Sequence, residues 1–127
     1  MGKGYLIDTN AVIDYLDNKL PANTTSFIDD LQVQISVVSR IELLAWPNIS
    51  QEQHALLTRF INAAEVVALS ESVILKTIEL KKTYRVKLPD AIIAATAIVN
   101  NWGLLTRNVN DFEKIDGLLI MNPYKMK

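Results

Sequence analysis

Apolar residues fall along this chain in short runs, separated by stretches whose apolar positions recur every three or four residues. This is the pattern of strands alternating with amphipathic helices. Residues 5–7 read as a strand feeding a helix over about 11–16, and Pro21 breaks the chain before a second helix around 25–31. The run VQISVV at 33–38 reads as a buried strand, after which Ser39 opens a short helix that Pro47 ends. Ser50 with Gln53 has the spacing of a capping box for a helix over 51–63, and 65–69 is strand-like. Ser70 caps the next helix, in which Val73, Thr77, Leu80 and Tyr84 fall along one stripe. Pro89 and Gly103 bracket a helix over about 89–101 that is apolar on nearly all sides and therefore central. A short strand at 104–106, a helical turn at 109–114 and a last strand at 118–121 complete the chain.

Strands separated by helices predict an α/β fold, an α/β/α sandwich with a mainly parallel sheet of about five strands. No repeat, linker-like stretch or low-complexity segment divides it, so 1–127 reads as a single domain. In such sheets ligands bind outside the carboxyl ends of the strands, and the first strand ends on Asp8.

Composition narrows the chemistry available at that edge. The 127 residues are 50% hydrophobic, enough for a real core, and contain no cysteine. Disulfides, cysteine-ligated metals and thiol catalysis are thereby excluded. His54 is the only histidine, and it falls on an exposed helix face without a serine suited to a triad, so any hydrolytic site is built from carboxylates. No signal peptide is apparent, and the longest apolar run, residues 91–99, is far short of the roughly 20 residues that span a bilayer. A cytoplasmic protein without membrane association is expected. The net charge of −1 does not advertise a nucleic-acid binder. Residues 76–87 nevertheless gather Lys76, Lys81, Lys82, Arg85 and Lys87 against the single acid Glu79. A solvated helix surface accounts for such a run as readily as a basic face does.

Three further acids sit where a strand gives way to a helix: Glu42, Asp90 and Asp111. Each has a structural explanation. Ser39 and Glu42 have capping-box spacing, Asp90 follows Pro89 in a first turn, Asn108 and Asp111 fit an Asn-capped turn, and Asp8 itself suits an Asx-turn or N-cap. Together, however, the four acids would point to one end of a parallel sheet. Carboxylates gathered there repel unless a cation neutralises them. A hard divalent ion, Mg²⁺ or Mn²⁺, suits that donor set and the hydrolysis of a phosphodiester.

The blocks IDTN (7–10), SRIELL (39–44), LPDAIIAATA (88–97) and TRNVNDF (106–112) resemble the signature blocks of the PIN-domain ribonucleases, and of the VapC-type toxins of type II toxin-antitoxin systems in particular. The resemblance implies a PIN-like fold and a Mg²⁺- or Mn²⁺-dependent endoribonuclease. Its metal-binding and catalytic carboxylates would be Asp8, Glu42, Asp90 and Asp111, none of which departs from the pattern. Thr9 and Asn10 would brace the first acid, while Thr106 and Asn108 would position the fourth and the attacking water or phosphate. It also implies an RNA substrate of the tRNA or rRNA class, a small antitoxin protein as partner, and a homodimer.

Arg40, Arg107 and the 76–87 segment are candidate phosphate contacts, and none is assigned a catalytic role. Trp46 fits core packing at a helix end or, alternatively, a dimer or antitoxin contact, and Trp102 fits core packing. Two rival readings remain. A receiver-type signalling domain would need paired acids after its first strand and an Asp after a central one, yet no Asp occurs between Asp30 and Asp90. A non-cleaving PIN-like partner protein would act only by complex formation.

Overall fold

The computed structural model describes residues 4–126. Strand β1 (Tyr5–Ile7) leads into α1 (Thr9–Leu16), and α2 (Ala22–Asp29) starts directly after Pro21. Then come β2 (Gln34–Ser36), α3 (Val37–Leu44), α4 (Gln51–Ala63), β3 (Glu65–Val67), α5 (Glu71–Thr83) and α6 (Leu88–Val99). The chain closes with β4 (Gly103–Leu105), the single turn α7 (Val109–Phe112) and β5 (Ile120–Met121). The five strands are all parallel and lie in the order β3-β2-β1-β4-β5. The connections run outward from β1 in one direction to β3 and then cross to β4 on its other side. The switch point, where a crevice opens at the carboxyl ends of the strands, therefore falls between β1 and β4.

Adjacent residues of a strand face opposite sides of the sheet, and the core divides accordingly. Leu6 and Leu104 pack with α5, α6 and α7 through Val73, Leu80, Ile93 and Phe112. Ile7, Ile35 and Leu105 pack on the other face with α1 to α4, through Val12, Ile28, Leu43 and Leu57. Helix α6 is apolar almost all round because it is central: Ala91, Ala94, Ala95 and Ala97 are each 0% exposed, and their small side chains let neighbouring elements approach closely. The stripe expected on α5 is present, with Val73, Thr77 and Leu80 buried and Tyr84 half-buried at its C-terminus.

Several boundaries differ from the sequence reading for local reasons. Helix α3 begins at Val37 because the Ser36 hydroxyl accepts the Val38 N–H at 3.0 Å, two residues before the expected start at Ser39. The expected Ser39/Glu42 capping box therefore does not form, whereas the Ser50/Gln53 box does. Gly103 is not the helix stop. Asn101 takes the left-handed conformation (φ 58) after α6, and Gly103 enters β4, where a Cβ would lie 3.1 Å from the Tyr5 ring. Trp46 lies outside the core, 43% exposed at the end of α3, while Trp102 packs half-buried against the α5/α6 core.

The division into two cores has a measurable consequence. Leu104 and Leu105 are consecutive, each 0% exposed, and belong to opposite cores. Leu104→Ala and Leu105→Ala are each expected to cost about 2–5 kcal/mol of unfolding free energy in urea titrations. Leu119→Ala, at a position 64% exposed, is expected to stay within about 0.5 kcal/mol. A small loss at either core position would contradict the two-faced packing.

Candidate active site at the carboxyl edge of the sheet

Asp8 follows β1 and caps α1, its Oδ1 accepting the Thr9 N–H at 2.8 Å. Its other oxygen, Oδ2, accepts the Thr106 hydroxyl at 2.7 Å and the Asn10 side-chain amide at 3.2 Å. The cap and the site are thus the same carboxylate. Its backbone is fixed as well, since the Asp8 N–H donates to the Leu105 carbonyl at 2.9 Å. At 4% exposure, Asp8 is held above the ordinary aspartate pKa chiefly by burial. The hydrogen bonds from Thr106, Thr9 and Asn10 work against that rise, and the charge of Glu42 adds to it.

Thr9 links the first acid to the second. Its Oγ1 lies 2.6 Å from Glu42 Oε1 and 2.9 Å from Ser39 Oγ. A hydroxyl carries one proton, so Thr9 donates to the carboxylate and the buried Ser39 hydroxyl completes the pair. Glu42 is therefore turned across the α1/α3 contact instead of back onto its own helix.

The loop after β4 is tied to Asp8 through Thr106 and to its neighbour Asn10 through Arg107. Thr106 Oγ1 donates to the Asp8 carboxylate and accepts the Asn108 N–H at 3.0 Å, and Asn10 Oδ1 accepts the Arg107 N–H at 3.1 Å. Asn108 precedes α7 but does not cap it through its side chain. Phe112, 0% exposed, anchors α7 in the core and leaves Asp111 at the surface.

Asp90 occupies the first turn of α6 and is half-buried. Its carboxyl is raised by burial first and then by the charges of Asp8, Asp111 and Glu42, with Lys87 opposing. Asp90 and Asp111 line one hollow of about 170 Å³ together with Arg85 and Lys87. The four carboxylates share an electrostatic field without closing on a point. Among the described residues, no three acidic or histidine side chains stand close enough together to hold a metal ion. An all-oxygen donor set spread in this way fits Mg²⁺ or Mn²⁺, which take one or two carboxylates directly and keep several waters.

One charged residue here escaped the sequence reading. Asp14, 2% exposed on α1, receives Arg107 Nη1 at 2.9 Å and the Tyr124 hydroxyl at 2.9 Å. Arg107, a candidate phosphate contact, spends much of its charge on this buried partner. The available signal was Asp14's place one helical turn after Asn10, beside Ala11 and Val12 on a helix that buries both.

Residues 5–118 match the sequence pattern of the PIN domain. The chain belongs to the PIN-domain family. No curated protein sequence is similar enough to count as a relative. Among solved structures, a chain of a toxin-antitoxin complex from Klebsiella pneumoniae is similar at 27% identity and a TM-score of 0.76, over 97% of this chain and 100% of that one. A chain of the DNA-bound VapBC complex from Salmonella typhimurium reaches a TM-score of 0.80 at 25% identity, over 94% and 98%. VapBC-1 from nontypeable Haemophilus influenzae reaches 0.79 at 25% identity, over 95% and 98%. The VapC-type resemblance of the four blocks thus agrees with the company the PIN fold keeps here. A receiver domain, by contrast, carries the strand order 2-1-3-4-5, which this sheet does not have.

The raised carboxyls give a pH prediction. A group whose pKa is higher in the folded state than in the unfolded chain favours folding below the unfolded value, and that advantage is lost as pH rises through the folded value. At neutral pH the Asp8 and Asp90 carboxyls therefore tax the metal-free fold. Asp90→Asn is expected to raise the thermal midpoint at pH 7 in EDTA and to shrink the gain seen when wild type is acidified toward the aspartate range. A lower midpoint for the variant would overturn this account of the field.

Proposed function

We propose that this PIN protein is a metal-dependent endoribonuclease, the VapC-type toxin of a toxin-antitoxin pair. The observation that carries the reading is a convergence: Asp90 and Asp111 line one hollow, Thr9 joins Asp8 to Glu42, and the charges of Asp8, Asp111 and Glu42 all bear on Asp90 at the head of α6. Four separate helix caps would have no reason to share a field.

In this reading Asp8 and Asp90 are the principal carboxylates holding Mg²⁺ or Mn²⁺, and Glu42 and Asp111 orient water or substrate around it. When bound, the ion would activate a water and stabilise charge on the phosphoryl oxygen. The chain's own contribution is placement. Thr106, Asn10 and the Thr9 N–H hold both oxygens of Asp8, and Thr9 Oγ1 holds one oxygen of Glu42. Asn108 is steered through its N–H to Thr106. Fixed ligands lower the reorganisation needed when charge develops at the phosphorus.

The structural neighbours from toxin-antitoxin complexes support a small antitoxin as partner. We propose RNA of the tRNA or rRNA class as substrate, the homodimer as the working form, and residues 1–127 as one PIN domain.

The purified, antitoxin-free protein is expected to cleave RNA in Mg²⁺ or Mn²⁺ and to stop in EDTA. Asp8→Asn and Asp90→Asn should each lower the rate by about a hundredfold or more, the order that charge stabilisation supplies. Glu42→Gln should lose cleavage while its thermal midpoint stays near wild type, because Glu42 is exposed and caps no helix. Equal cleavage in EDTA, or full activity in the aspartate variants, would sink the metal mechanism.

A further inference from the structure

Two hollows flank α7, and they share Asn110 and Asp111. The smaller holds Asp90 and the cations Arg85, Lys87 and Lys114. The larger, about 630 Å³ and open, lies on the β4/β5 side and is lined by Arg107, Asn108, Asn110, Asp111, Asn122 and Lys125, among others. The ridge between them is one helical turn of four residues, about 6 Å long. Both hollows therefore fall within reach of the same extended strand.

Resting on the ribonuclease reading, we propose that the larger hollow binds the substrate strand on the far side of α7 from Asp90, so that single-stranded RNA crosses α7 with Asn110 beneath it. The lining chemistry selects this ligand. The three asparagines each present an amide donor and a carbonyl acceptor, the pairing that base edges and 2′-hydroxyls require. The cations at either end answer phosphates, which position a strand without reading its sequence. Arg107 is already shared with buried Asp14, and Asp111 belongs to the metal in the ribonuclease reading, so Lys125 is the cation of this hollow left to meet a phosphate. Among the described residues Lys125 pairs with no acid.

The wall that carries Lys125 is held in place. The Thr24 hydroxyl, 0% exposed, donates to the Pro123 carbonyl at 2.6 Å, and the Asn23 amide donates to the Met126 carbonyl at 2.7 Å. Tyr124 reaches Asp14, the acid that also holds Arg107. Segment 122–126 is thereby fixed to α1 and α2 and faces the loop after β4 across the hollow.

The test reads salt dependence. A fluorescein-labelled single-stranded oligoribonucleotide of about 12 nucleotides, within the usual site sizes of single-strand grooves, is titrated on the Asp90→Asn background so that it is not consumed. Each phosphate contact adds about 0.7 to the slope of log affinity against log salt. Lys125→Gln and Lys87→Gln should each lower the slope by about 0.7, and the double variant by about 1.4. Lys82→Gln, at an exposed cation on α5 that lines neither hollow, should leave it unchanged. If Lys87→Gln lowers the slope and Lys125→Gln does not, the strand leaves by another route and the path is wrong while the ribonuclease reading stands. If the background protein binds tRNA but not this probe, the single-strand path is wrong while the ribonuclease reading stands; if it binds neither, the RNA reading fails and takes the path with it.

Discussion

A carboxylate shut away from water at the end of a central strand is costly, and much of this fold is arranged around that cost. Burial raises the Asp8 carboxyl, and the hydrogen bonds from Thr9, Asn10 and Thr106 answer only part of it. Those bonds draw in the start of α1 and the loop after β4, and Thr9 extends the same grip to Glu42 on α3. The neighbours of Asp8 are thus fixed by the demands of one charge. A surface carboxylate would have imposed none of them, because water would have satisfied it.

The two cores explain why the edge stays rigid under that burden. Leu6 and Ile7, the residues just before Asp8, go to opposite faces, so the strand is clamped from both sides up to the residue that carries the charge. The same alternation in β4 clamps Leu104 and Leu105 before Thr106. Donor and acceptor of the Thr106–Asp8 bond therefore sit at the ends of two adjacent, doubly buried strands. Like charges on α6 and α7 can be brought near without the edge splaying, which is a condition for holding a cation there.

Much of this was legible in sequence because it was written in short-range patterns. The alternation of elements, the capping box at Ser50, the stripe on α5 and the apolar girth of α6 all follow from local spacing, and all are present. The strand-end position of Asp8 was legible for the same reason. Spacing misled at Ser39 and Glu42, where a good capping-box pattern is overruled by Ser36 two residues earlier. Nothing local reveals that Thr9 and Glu42, 33 positions apart, share a hydrogen bond. Asp14 was missed because its partners, Arg107 and Tyr124, lie 93 and 110 positions away, and an ion pair between distant segments leaves no periodic trace.

The sheet is built from strands of only two or three residues, and its borders are β3, with three, and β5, with two. A border strand offers its unpaired N–H and C=O groups to any other extended chain. Borders this short present at most a bond or two, too few to hold a foreign strand in register. A chain that is half hydrophobic is thereby protected from edge-to-edge aggregation by the brevity of its strands, with its cohesion left to the helices on either side.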